Sequence, residues 1–179
     1  LFLEPAHTLA WPLLARCAYP FEALPGIKDF ILALQQTLNP AEYEQLALDV
    51  FAHVTAVIAP TACIQGPTII GARTEIRHCA FIRGSALICE DCEVGNSSEL
   101  KNAILFYRVQ VPHYNYVGDS ILGYHAHMGA GLAVYRLYAA PAAHLPIDQG
   151  HKIRLAVVDI GLQIAAHGCG LRRPPGREV

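Results

Sequence analysis

Charged side chains are scarce in this chain of 179 residues, at 16% of the total, and they nearly cancel to a net charge of -2. So neutral a balance offers no basic field for a nucleic acid. Although 53% of the residues are hydrophobic, no apolar run reaches the ~18 residues that a membrane span needs. That excess is expected to cover a subunit interface instead. The six cysteines, at positions 17, 63, 79, 89, 92 and 169, keep no spacing that reads as a disulfide framework. Reduced thiols in a cytoplasmic protein are the plain expectation. No charged-then-apolar leader opens the sequence, so no signal peptide is expected. A Gly-rich phosphate loop followed by strand-helix alternation is also missing, which argues against a nucleotide-binding domain in this chain.

What the sequence does have is a period. From residue 56 to residue 100 an aliphatic side chain returns at every sixth position: Ile58, Ile64, Ile70, Ile76, Ile82, Ile88, Val94 and Leu100. Four places after each come Ala62, Thr68, Thr74, Ala80, Ala86, Cys92, Ser98 and finally Ile104, a small-residue slot until its last member. Six is neither the 3.6 of a helix nor the 2 of an alternating strand. It is the hexapeptide signature of a parallel β-helix, in which each hexad contributes one short strand and one corner. A single coil cannot bury its inner face, so stacked coils must supply the core. An all-β solenoid over residues 56 to 131 is therefore expected.

Residues 1 to 55 lack the hexad and read as a short helical lead-in packed against the first coil. Ile27, Phe30, Ile31 and Leu34 mark one helical face after the Pro25-Gly26 turn. Asn39, Pro40 and Glu42 resemble an N-cap, N1 and N3 set, with Tyr43, Leu46, Ala47 and Val50 continuing a second helical stripe. After Leu100 the phase slips by one residue, giving Leu105, Val111 and Val117, and slips again at Leu122 and Met128. Such slips mean a shortened coil or an extruded loop, and the cluster Pro112-His113-Tyr114-Asn115-Tyr116 between them is read as a loop. Residues 132 to 179 are expected to be irregular, with a second aliphatic stretch from Ile153 to Ile164 and a basic, Pro-rich, disordered tail.

With three hexads per coil, residues eighteen apart stack about 4.8 Å apart along the axis. Arg83 and Lys101 are eighteen apart and each follows an inward aliphatic residue. Two cations in one outward column invite a phosphate or carboxylate between them, or they diverge into solvent. His113, twelve residues further on, has an imidazole suited to take a proton from an attacking amine or hydroxyl. Cys89 and Cys92 form a Cys-x-x-Cys without a second pair, and their hexad positions make packing the simpler explanation. His125 and His127 could present two imidazoles from one strand face. Asp119 could orient a ring nitrogen or cap the turn after Gly118. Tyr114 and Tyr116 could be interface aromatics.

The runs Glu99-Leu100-Lys101-Asn102-Ala103, Pro112-His113-Tyr114-Asn115-Tyr116-Val117-Gly118-Asp119 and Gly129-Ala130-Gly131 are similar to the acetyltransferase half of a bacterial bifunctional enzyme. That enzyme makes UDP-N-acetylglucosamine by acetylating glucosamine 1-phosphate and then transferring a uridylyl group. The resemblance covers residues from about 56 to 131. It implies a left-handed β-helix that forms a homotrimer, with sites between subunits that take an amino-sugar phosphate and acetyl-CoA as co-substrate. It further implies that Arg83 and Lys101 bind the phosphate, His113 is the general base and Tyr116 contacts the sugar. The backbone of Gly129, Ala130 and Gly131 would approach acetyl-CoA, and no metal is implied. The family's Asn before Gly-Ala-Gly is replaced here by His127-Met128, and its Thr-Cys-Asn-Tyr-Asp stretch by Leu132-Ala133-Val134-Tyr135-Arg136. The lead-in motifs Ala6-His7-Thr8-Leu9 and Cys17-Ala18-Tyr19-Pro20 are similar to a branch labelled sugar-nucleotide pyrophosphorylase-related. Two other classes stay open: a non-catalytic β-helix binding a sugar nucleotide or partner, and a zinc-dependent, carbonic-anhydrase-like β-helix with interfacial histidines.

Overall fold

The computed structural model describes residues 5–134. The lead-in holds two α-helices, α1 (Trp11–Leu14) and α2 (Ile27–Gln35), separated by a 3-10 segment, Pro20–Gly26. A hairpin of β1 (Tyr43–Ala47) and β2 (Val50–His53) follows. The coils then run through β3 (Val57–Ile58), β4 (Cys63–Ile64), β5 (Thr68–Ile70), β6 (Glu75–Ile76), β7 (Phe81–Ile82) and β8 (Ala86–Ile88). They continue as β9 (Glu93–Asn96), β10 (Glu99–Leu105), β11 (Gln110–His113), β12 (Tyr116–Leu122) and β13 (Ala133–Val134). The solenoid is a left-handed parallel β-helix.

The rungs stack as three faces. The first is β4, β7, the start of β10, the start of β12, and β13. The second is β2, β5, β8 and the ends of β10 and β12. The third is β3, β6, β9 and β11. Each face carries an inward aliphatic column, such as Ile82, Leu100, Val117 and Val134 on the first, all buried. Corners are made by residues of positive φ at Arg73, Cys79, Ser85, Asp91 and Ser97, six apart. A side chain other than glycine is uncommon in that region, so its return at a fixed interval marks the corner as a built feature.

Two five-residue steps break the interval, from Ser97 to Asn102 and from Tyr114 to Asp119. They coincide with the slips in the hexad phase. The coil is simply shortened: Ile82 pairs with Leu100 eighteen residues on, whereas Leu100 pairs with Val117 seventeen on. No loop is extruded there, and His113 is the last residue of β11, paired with Asn96 of β9. The expected 112–116 loop is therefore a strand end and a corner. The small-residue slot also survives the slip, because Thr68, Ala86, Ala103 and Ser120 are in register. Ile104 belongs to the neighbouring outward column with Ile69, Leu87 and Ile121.

That outward column explains the lead-in. Ile69, Leu87, Ile104 and Ile121 point away from the tube yet are fully buried, because α2 packs across β5, β8 and β10 while the 3-10 segment reaches β12. The lead-in thus clasps the second face along its length instead of packing on the first coil. Gln35 at the end of α2 donates to the carbonyls of Asp49 (2.8 Å) and Thr68 (3.3 Å), and Asn102 donates to the carbonyl of Leu24 at 3.3 Å. The second expected helix is absent. Residues 43 to 53 are the β1–β2 hairpin, where Val50 and Ala52 alternate inward and stack on Thr68 and Ile70. Pairing with a finished parallel edge outweighs the local helical signal. The readings made for residues 135 to 179 lie outside the described residues. Among the described residues, no helix is long and apolar enough to cross a membrane.

Because Leu87 is enclosed by α2 on one side and the sheet on the other, Leu87→Ala is expected to cost about 2–5 kcal/mol. Chemical denaturation of the two proteins measures it, and an effect within about 0.5 kcal/mol would contradict the clasp.

Candidate active site

Arg83, Lys101 and Tyr116 lie on the first face, with His113 at the end of β11 beside its corner. Arg83 directly follows β7, and Lys101 lies one rung above it, with the Arg83 amide donating to the Leu100 carbonyl at 2.8 Å. Both side chains are exposed. They differ in their partners. The Arg83 guanidinium donates to the Glu99 carboxylate at 2.8 Å, which also raises its pKa, whereas Lys101 has no ion pair among the described residues. Glu99 was not singled out from the sequence. Its spacing could have revealed it, since Glu99 opens the rung directly above Phe81 and so flanks Arg83.

Tyr116 opens the next rung, in register with Glu99. Its ring folds back over Gly118: a Cβ on that glycine would lie 2.5 Å from the Tyr116 hydroxyl oxygen. Gly118 is itself in register with Lys101, so the glycine leaves room for the phenol on the rung above Lys101. Partial burial raises the Tyr116 pKa, helped by the Glu99 carboxylate and opposed by Arg83. Arg83, Glu99 and Tyr116 therefore form one electrostatic neighbourhood.

His113 stands at the opposite corner of the same face, exposed, with no side-chain hydrogen bond among the described residues. Its carbonyl accepts the Gly131 amide at 3.3 Å, and Gln110 pairs with His127. Gly129, Ala130 and Gly131 thus pass one coil above Pro112, His113 and Tyr114. Gly131 has φ +73, and among the described residues a Cβ built on it meets nothing within 4 Å. Its backbone conformation is one that calls for glycine. The close approach of backbone elsewhere is different: at Gly95 a Cβ would overlap the Pro112 carbonyl, which seats β11 tightly on β9.

The remaining candidates resolve into structural roles. Asp119 lies at a corner of φ 45 and accepts from Asn102 at 2.7 Å, the turn role. His125 is a corner residue of φ 60, and His127 shares a 2.8 Å hydrogen bond with Gln110, so the two do not share a strand face. Among the described residues no group of three or more His, Cys, Asp or Glu is placed to hold a metal. Tyr114 is 66% exposed at its corner. Cys89 and Cys92 are both buried. Burial pushes the Cys89 thiol up to about 11 and raises Cys92 as well, while Cys92 donates to the Phe106 carbonyl at 2.9 Å.

Two outcomes follow from these environments. In Glu99→Gln the Arg83 guanidinium loses its carboxylate, and inorganic phosphate is expected to bind about two- to five-fold more tightly by calorimetry. Unchanged or weaker binding would mean that Glu99 does not compete for Arg83. The neutral Cys89 thiol is favoured by folding, since its pKa rises from 9.0 to about 11. Its contribution is fully present below pH 9 and is lost as pH rises through 11, a change of about 3 kcal/mol. Denaturation between pH 8 and 11 should show this loss, reduced in Cys89→Ala.

Comparison with known proteins adds sequence similarity over part of the chain. No family model matches the chain. The chain is 46% identical over 50 residues to the bifunctional protein GlmU of Methanococcus maripaludis, covering 28% of this chain and 12% of that protein. It is 38% identical over 90 residues to the bifunctional protein GlmU of a Nostoc species, covering 50% of this chain and 18% of that protein. The chain thus spans less than a fifth of the length of these relatives. Among solved structures, the acetyltransferase domain of PglB from Neisseria gonorrhoeae aligns with a TM-score of 0.48 at 16% identity, over 61% of this chain and 53% of that one. By its six-residue period, its coil register and this sequence similarity, the chain carries a hexapeptide-repeat β-helix resembling that of the bifunctional GlmU proteins.

Proposed function

We propose that the chain is an N-acetyltransferase that moves the acetyl group of acetyl-CoA to the amine of an amino-sugar phosphate in nucleotide-sugar metabolism. It would act in the cytoplasm as a homotrimer, with the first face turned toward a neighbouring subunit. The reading rests on one arrangement: Arg83, Lys101 and Tyr116 occupy successive rungs of a face whose far corner holds His113 beneath the Gly129-Ala130-Gly131 backbone. The sequence similarity to the bifunctional GlmU proteins supports it.

In this mechanism Arg83 exchanges its contact with Glu99 for the substrate phosphate, whose other oxygens meet the Lys101 ammonium. A guanidinium fork and a point-charge ammonium suit a dianion. Tyr116, seated over Gly118, lies next to the sugar ring and fixes its orientation. The amine then lies toward His113, whose neutral imidazole takes the proton as the nitrogen attacks. General-base assistance of this kind contributes typically ~10²–10⁴-fold. Acetyl-CoA supplies the acyl thioester, and the open backbone at Gly129 to Gly131 is where it would lie. A metal has no part in these steps.

Calorimetry with glucosamine 1-phosphate and with acetyl-CoA tests the reading, followed by turnover assays. Arg83→Ala is expected to weaken the sugar phosphate about ten- to hundred-fold and leave acetyl-CoA binding unchanged. His113→Ala is expected to lower kcat about 10²–10⁴-fold with little change in either affinity. Binding of the sugar phosphate without acetyl-CoA would identify a non-catalytic binding module. Binding of neither would overturn the site.

A further inference from the structure

Two coils below His113, about 10 Å along the same corner, stands a group of side chains that the acetyl-transfer reading does not use. Cys79 occupies the corner with φ 56, and its Sγ lies 3.2 Å from Nε2 of the adjacent His78. The other ring nitrogen, Nδ1, is 2.7 Å from the Thr61 hydroxyl on the coil below. Thr61 Oγ1 also accepts the Cys79 amide at 3.3 Å, and the Asn96 amide donates to the His78 carbonyl at 3.2 Å from the coil above. Thiol, imidazole and hydroxyl are thus held in line by three consecutive coils. All three side chains are exposed, as is Ser97 above them.

The line has a definite chemical sense. With the ring proton on Nδ1 and donated to Thr61, Nε2 presents its lone pair to the Cys79 thiol. Transfer of the thiol proton then leaves a thiolate beside an imidazolium whose two N–H groups are both satisfied, by Thr61 and by the sulfur. An accessible thiol paired with a base that is itself oriented by a third group is the pattern of an activated nucleophile. The other described cysteines lack it. Cys89 and Cys92 are buried with their thiols pushed up, and Cys63 is exposed without an imidazole hydrogen bond among the described residues.

We propose that Cys79 is a modification site at which the chain forms mixed disulfides with small aliphatic disulfides, the oxidised forms of low-molecular-weight thiols. The Cys79 sulfur attacks one sulfur of the incoming disulfide along the open corner. A new Sγ–S bond forms as the incoming S–S bond breaks. The departing thiolate takes the proton from Nε2 of His78, which returns the ring to its starting form. The exchange consumes one disulfide and releases one thiol, and excess thiol reverses it. It does not depend on the acetyltransferase reading.

The test is the reaction of the reduced chain with 2-hydroxyethyl disulfide at pH 7, acid-quenched and mapped by peptide mass spectrometry. Cys63 in the same molecule is the reference. Cys79 is expected to react at least about tenfold faster than Cys63. His78→Gln should bring it down to the Cys63 rate, and Thr61→Val should lower it part of the way. Adducts on Cys89 or Cys92 would reveal an unfolded variant, in which case the comparison of Cys79 with Cys63 in the unaltered chain decides. Equal rates at the two exposed cysteines, or full Cys79 reactivity in a folded His78→Gln protein, would overturn the assignment.

Discussion

Stacking of inward aliphatic side chains in register is the interaction on which every other feature of this molecule depends. Ile82, Leu100, Val117 and Val134 occupy one column, and each is wholly or almost wholly buried by its neighbours above and below. At about 1.5–3 kcal/mol for a fully buried aliphatic residue, a column gains only when its members coincide. A rung displaced by one residue would turn its aliphatic side chain to solvent. Register is therefore strongly specified, and so is everything attached to it. Arg83 and Lys101 are neighbours because Ile82 and Leu100 are neighbours.

The second face adds a further layer of apolar contact outside the tube. A hexad alone predicts an outward, solvated side chain between two inward ones. Ile69, Leu87, Ile104 and Ile121 contradict that prediction and are covered by the lead-in. The clasp leaves the first face uncovered by α2, and the first face is where the candidate site lies. The hydrogen bonds from Gln35 to Thr68 and from Asn102 to Leu24 join the two layers at polar points. Helical lead-in and β-helix consequently share one core.

Much of this was legible in the sequence, for reasons that differ from residue to residue. The period of Ile58 through Leu100 reads directly because one aliphatic residue per rung is a geometric requirement. The slips at Leu105 and Leu122 read as interruptions, but periodicity cannot distinguish a shortened corner from a loop; the pairing of His113 with Asn96 does so. The helix expected from Asn39 onward failed because Val50 and Ala52 answer to the sheet edge and not to a local stripe. Of the candidate residues, Arg83, Lys101 and Tyr116 were picked out from the sequence and fall on one face because of the coil, with His113 at the end of β11 beside that face's corner. Gly118 as the seat of Tyr116 was not, since it depends on side-chain direction, and Glu99 was passed over although its place above Phe81 flanks Arg83.

The shortened corner is what gives Lys101 its character. At a spacing of eighteen, the residue above Lys101 would be Asp119, a carboxylate about 4.8 Å away and suited to neutralise it. At the actual spacing of seventeen, Gly118 takes that place. Asp119 moves on to the corner, where it accepts from Asn102 at 2.7 Å. One deleted residue thus does three things at once. It removes a counter-ion from the ammonium, supplies a glycine over which the Tyr116 ring can fold, and engages the displaced carboxylate in bracing the corner. Arg83 one rung below keeps its carboxylate in Glu99, so the two cations are held unequally. That difference between the two cations is imposed by a single step in the coil.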